Sequence, residues 1–142
     1  MSYFSSACLR IIGDSVNPDL CSEVLKIMPD KAWKKGDVYH LKHDGRMVRR
    51  NTGLWMYSSK LEIPPFDPDL HAKEIVRVFS GRAPALEVIK KCEGVRISVI
   101  IDWGISHGTY YLDRQLLKDI LALGVDDVGC CFVGIDEDEL SV

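Results

Sequence analysis

Hydrophobic residues recur at every second position from Val95, in the run Val-Arg-Ile-Ser-Val-Ile-Ile-Asp-Trp that ends at Trp103. Val95, Ile97, Val99 and Ile101 leave one face of such a strand, while Arg96, Ser98 and Asp102 leave the other with only Ile100 apolar among them. A strand with one greasy face and one wet face suits a largely antiparallel sheet covered by helices on one side. Every other element is placed against that buried face.

In chain order, Cys8 to Gly13 reads as a strand with Leu9 and Ile11 on one face. Asn17-Pro18 then opens a helix, because Asn caps well and a Pro at the first helical position has no N–H to leave unpaired. Leu20, Val24, Leu25, Ile27 and Met28 form its apolar stripe over about three turns, ended by Pro29. Asp30 to Gly36 is a loop holding Trp33, and Val38 to Lys42 is a strand. A two-residue turn at Asp44-Gly45 sets Leu41 opposite Val48, Tyr39 opposite Arg50, His40 opposite Arg49 and Lys42 opposite Met47. Tyr39, Leu41 and Val48 then face the core, and His40, Lys42 and Arg49 face water. The strand resumes after a bulge at Thr52-Gly53, through Leu54 to Tyr57.

Ile63 to Phe66 is a Pro-Pro loop, and Asp67-Pro68 opens a second helix with Ala72, Ile75, Val76 and Phe79 inward. A shorter helix runs from Pro84 to about Cys92, with Leu86, Ile89 and Val88 inward. Gly104 to Gly108 reads as a loop and Thr109 to Leu112 as a short strand, and no nucleophile elbow is expected beside Asp102 and His107. Asp113 caps a helix to Leu123 with Leu116, Leu117, Ile120 and Leu121 as its stripe, and Val128 to Ile135 is the last strand. The expectation is an α+β fold: a mainly antiparallel sheet with helices packed on one face, in a ferredoxin-like or duplicated strand–helix–strand layout. Residues 1–142 form a single domain, with a flexible acidic tail from about 136.

Composition narrows the function more than the fold. No apolar run reaches the roughly 18 residues of a membrane span, and the first ten residues lack a secretory pattern, so a soluble cytoplasmic protein is expected. Five cysteines, with no Cys-x-x-Cys pair, read as reduced thiols packed as small hydrophobes. His40, His43, His71 and His107 stand in no spacing that recruits a metal with them, and no cofactor is expected. Neither Gly-x-Gly-x-x-Gly nor Gly-x-x-x-x-Gly-Lys occurs. Charge is uneven: seven basic residues against Asp37 and Asp44 give +5 between Lys31 and Arg50, which leaves −8 elsewhere in a chain of net charge −3.

The series Leu9-Arg10-Ile11-Ile12-Gly13, Pro18, Leu25, Pro29, Trp33-Lys34-Lys35-Gly36-Asp37 and Thr52-Gly53-Leu54-Trp55, ending near Ser58, resembles the bacterial family of domain of unknown function 4279. The later strand, followed by a capped helix ending in Ala-Leu-Gly, is similar to that family's C-terminal half. Ile27-Met28 before Pro29 departs from its pattern, where a glycine is expected. The resemblance implies an architecture and supplies no catalytic residue.

Three clusters are candidate sites. Trp33, Lys34, Lys35, Tyr39, His40, Lys42, Arg49, Arg50, Trp55 and Tyr57 interleave aromatics with cations, a pattern that anchors an acidic protein partner. The same pattern can stack nucleobases, but the acidic overall balance speaks against nucleic acid. An immunity-like role, covering a cognate toxin, is one form such binding takes. Asp102 with Trp103, His107 and Tyr110 is an alternative cleft for acid–base chemistry in a small enzyme. Asp14, Ser15, Asp19 and Glu23 surround the first helix start, where carboxylates complement the helix dipole. The first cluster gives the leading expectation, a non-catalytic binding module; oligomeric state is not legible.

Overall fold

The computed structural model describes residues 4–61, 67–104 and 110–132. The elements run β1 (Phe4–Gly13), α1 (Pro18–Leu25), β2 (Lys31–Trp33), β3 (Val38–His40), β4 (Met47–Arg49), β5 (Gly53–Ser58), α2 (Pro68–Phe79), α3 (Ala83–Lys90), β6 (Val95–Gly104), α4 (Arg114–Leu121) and β7 (Asp127–Phe132). A 3-10 turn, Ser80–Arg82, joins α2 to α3.

β1 and β6 pair antiparallel along their whole lengths, from Phe4↔Gly104 to Gly13↔Val95, and make the spine of a five-stranded sheet of order β2-β5-β1-β6-β7. β5 is antiparallel to β1, β2 is antiparallel to β5, and β7 runs parallel to β6. This is an α+β architecture, a mostly antiparallel sheet with helices packed on it. Of the two layouts expected, the duplicated one forms. β1–α1–β2 brings back a strand parallel to β1 with β5 between them, and β6–α4–β7 brings back one directly beside β6. The central pair is antiparallel, which sets it apart from a ferredoxin-like sheet.

The alternation read from the sequence holds. Ile97, Val99 and Ile101 are buried beside Ala7, Leu9 and Ile11 of β1 and Trp55 and Tyr57 of β5. Against them pack Cys21 and Leu25 of α1, Ala72, Ile75 and Phe79 of α2, Leu86 and Ile89 of α3, and Leu116 and Ile120 of α4. The opposite face carries exposed Arg96 and half-buried Arg10, Ile12, Met56, Ile100 and Asp102. Cys8, Leu54 and Ser98 are buried on that face, Ser98 beside its ladder partner Asp127, to which its hydroxyl donates. Gly13, at φ 154°, is where β1 meets the start of β6: a Cβ there would stand 1.8 Å from the Gly94 carbonyl oxygen, so only glycine fits.

Several expectations need correction. α1 ends at Leu25 with Lys26 left-handed at φ 55°, and its buried face is Pro18, Cys21 and Leu25. Leu20 and Met28 are exposed, since the helix stops before Met28 could join a stripe. Lys31–Trp33 is an edge strand, not a loop, paired through Lys31↔Met56 and Trp33↔Leu54. β4 does not continue past a bulge into β5: the two belong to different sheets. Val88 and Leu121 point to solvent, and Tyr110–Leu112 form no strand. Cys92, Cys130 and Cys131 are exposed, so only Cys8 and Cys21 are buried, and of these Cys21 alone joins the core cluster. The Pro-Pro loop at 63–66, His107 and the acidic tail lie outside the described residues.

Candidate functional site

The hairpin β3–β4 stands apart from the five-stranded sheet. Its register is Val38↔Arg49, Tyr39↔Val48 and His40↔Met47, two residues from the expected one. The turn is longer than read. Leu41 N–H donates to Arg46 O at 2.9 Å, Gly45 N–H donates back to Leu41 O, and Lys42 to Gly45 form the loop. A slip of two preserves the side-chain faces, because strands alternate with period two. Tyr39, Leu41, Val48 and Arg50 are therefore half-buried on one side, though none enters the core. The outward face presents Val38, His40, Met47 and Arg49; Val38 is 42% and Met47 60% exposed.

Arg50 holds this hairpin to the body. Its guanidinium carbon lies 3.6 Å from the Trp33 ring centroid and 3.7 Å from that of Tyr39, a cation between two aromatic faces. Arg50 N–H also donates to Asp37 O at 2.7 Å, and Gly36 N–H to Arg50 O at 2.8 Å. The Asp37 carboxylate accepts from Lys34 N–H at 2.8 Å, which folds the chain back after β2. Lys35 pairs with Asp14 at 2.9 Å, and this bond, with a second from Thr52, holds the Asp14 carboxyl below its usual range. An open groove of about 370 Å³ runs beside Trp33, lined by Pro18, Asp19, Ala32, Lys34 and Asp37.

The first cluster is thus partly assembled. Trp33, Tyr39 and Arg50 form the clamp, and Lys34, His40, Lys42 and Arg49 lie exposed around it. Arg49 reaches back to the Gly36 carbonyl at 3.4 Å. Trp55 does not belong to it. Wholly buried, it meets Phe79 edge-on at 6.4 Å and donates its indole N–H to Ser22 Oγ at 3.0 Å. Tyr57 is likewise a core residue, packed edge-on to Phe79 at 5.5 Å.

Of the second cluster, Asp102 and Tyr110 lie on opposite faces of the sheet, and His107 lies outside the described residues. Asp102 lies on the open face and accepts from Ser6 Oγ at 3.3 Å. Tyr110 packs its ring on Trp103, 5.8 Å away and on the helix side of the same strand, and donates its hydroxyl to Asp69 at the start of α2. Burial, followed by that bond, pushes the Tyr110 phenol up. Burial, followed by the Asp102 charge, pushes the Cys8 thiol to about 11. The stretch after β6 spells Gly-x-Ser-x-Gly, as Gly104-Ile105-Ser106-His107-Gly108, so the motif is present in the sequence where none was expected. A nucleophile elbow needs a helix directly after the serine. Here α4 begins only at Arg114, and residues 105–109 lie outside those described.

Asp14, Ser15, Asp19 and Glu23 do not converge. Asn17 caps α1 by accepting from Leu20 N–H, Ser15 donates to Glu93 O, Asp14 meets Lys35, and Asp19 and Glu23 are exposed. Among the described residues no three His, Cys, Asp or Glu side chains gather as a metal site would require.

Two polar devices escaped the sequence reading. Ser59 Oγ lies 2.6 Å from His71 Nδ1 and ties the end of β5 to α2; the pair is twelve residues apart with nothing periodic to signal it. Arg82 donates to Leu25 O at 2.8 Å and to Val78 O at 2.5 Å, so one guanidinium closes the C-terminal ends of α1 and α2.

No helix among the described residues is long and apolar enough to cross a membrane. No curated protein and no solved structure matches the chain. The family model described as Domain of unknown function (DUF4279) matches residues 2–126, stopping just short of β7, and the chain belongs to that family.

Proposed function

We propose that the protein is a non-catalytic interaction module whose β3–β4 hairpin docks an acidic protein partner. The observation that supports this reading is the outward hairpin face. Val38 and Met47, both apolar and exposed, stand there beside His40 and Arg49, and Lys42 and Arg46 are exposed in the adjoining turn. Exposed apolar side chains framed by cations are what a partner with carboxylates around an apolar centre recognises. The Arg50 clamp fixes the hairpin before any partner arrives, which lowers the ordering cost of binding.

The test is co-purification from extracts with the wild-type chain and with the double change Lys42→Glu, Arg49→Glu. Both side chains are exposed, so folding is spared. A partner lost by the double variant and held by the wild type supports the reading. Equal capture of every partner by both forms refutes it.

A further inference from the structure

Of the five thiols, Cys8 and Cys21 are buried and Cys92, Cys130 and Cys131 are exposed. Cys21 is the fourth residue of α1. Cys92 sits just past α3, in the turn that leads to β6, with its N–H on Ile89 O at 3.1 Å. Both cysteines line one small cavity of about 20 Å³, together with Val16, Ile89 and Val95. Space of that size holds about one water. The turn bearing Cys92 is already drawn to the start of α1, since the Ser15 hydroxyl donates to the Glu93 carbonyl, and Gly94 at φ 76° reverses the chain there.

We propose that Cys21 and Cys92 form a site of reversible oxidation, joined as a disulfide when a hydroperoxide reaches the exposed thiol. The Cys92 thiolate attacks the terminal peroxide oxygen, the O–O bond breaks, and Cys92 becomes a sulfenic acid as hydroxide, or the alkoxide of an organic hydroperoxide, leaves and takes up a proton. The Cys21 sulfur then attacks the Cys92 sulfur, the S–O bond breaks, and water leaves with the thiol proton. Overall two thiols and one hydroperoxide give one disulfide, water and the reduced alcohol or a second water. Each sulfur loses one electron, and the peroxide gains two. The roles follow from placement: Cys92 meets solvent, whereas Cys21 is sheltered from the oxidant and pushed up to about 11, by burial first and then by charge on Cys92. The bond ties α1 to the α3–β6 turn and closes a loop of about half the chain.

The test exposes the reduced full chain to one equivalent of hydrogen peroxide, blocks free thiols in denaturant, and maps the digest by mass spectrometry. The expected product is one intrachain Cys21–Cys92 cross-link, reversed by dithiothreitol, with Tm raised by about 10 °C. Cys92→Ser, at an exposed position, loses both the cross-link and the Tm rise. The proposal is overturned if the loss of two hydrogens persists in that variant and maps to Cys130 and Cys131. It is equally overturned if Cys92 proceeds to sulfinic acid while Cys21 stays fully alkylatable, or if the cross-link joins two chains.

Discussion

Arg50→Ala isolates what holds the hairpin in place. The side chain lies 3.6 Å from the Trp33 ring centroid and 3.7 Å from that of Tyr39, and it is half-buried. A cation–aromatic contact contributes about 0.5–1 kcal/mol when exposed and about 2 kcal/mol when desolvated, so two partly shielded contacts give roughly 1–2 kcal/mol. That energy acts on local opening of β3–β4 and not on global unfolding, because no hairpin residue belongs to the core. Native-state hydrogen exchange reads the difference. The Leu41 and Arg50 amides, which donate to Arg46 O and Asp37 O, should exchange roughly 5- to 30-fold faster in the variant. Amides of the β1–β6 ladder should keep their wild-type rates. Lys at the same position keeps the charge but not the flat guanidinium that lies against both rings, so it should recover only part of the protection. Unchanged hairpin exchange in Arg50→Ala would mean that the stacking holds nothing. Equal acceleration in the β1–β6 ladder would mean that the hairpin is no separate unit.

Trp55→Ala removes a wholly buried ring and leaves Ser22 Oγ without its donor, and denaturant unfolding should show a loss of about 3–5 kcal/mol; an unchanged midpoint would contradict the core placement. His71 is buried, and burial lowers its pKa below the ordinary 6.5 while Asp67 pulls the other way. A depressed histidine contributes stability that is complete above 6.5 and is lost as pH falls below it, because the unfolded chain takes up the proton more readily. Thermal melts should therefore fall with acidification from neutral pH, before the carboxylates titrate, and His71→Asn should flatten that slope; identical slopes would remove His71 as the cause.

What the sequence made legible follows its periodicity. The two-sided β6 and the caps Asn17, Asp67 and Asp113 were readable because alternation and capping are local rules, and each of those side chains accepts from the backbone N–H three residues on. The α1 stripe was misread because its inward residue is Cys21, small and easily passed over, while Leu20 and Met28 looked more apolar. β2 was missed because Lys-Ala-Trp is too short and too polar to signal a strand; its partner β5 makes it one. The parallel course of β7 depends on how α4 crosses the sheet, which no alternation encodes. Of the basic-aromatic cluster, composition marked Trp33 and Trp55 alike. Only the ladder shows Trp55 turned inward, and Trp33 beside Leu54 on the opposite face.

β2 and β5 are neighbours whose ladder ends at Trp33↔Leu54, so the chain departs from that point and returns to it after the excursion through β3 and β4. The scaffold therefore treats residues 34–52 as cargo. A short reverse turn in their place leaves every rung of the five-stranded sheet intact, and a different sequence grafted there inherits a ready-made pedestal. The hairpin excursion and the sheet are written in separable stretches of this chain, free to be altered one without the other.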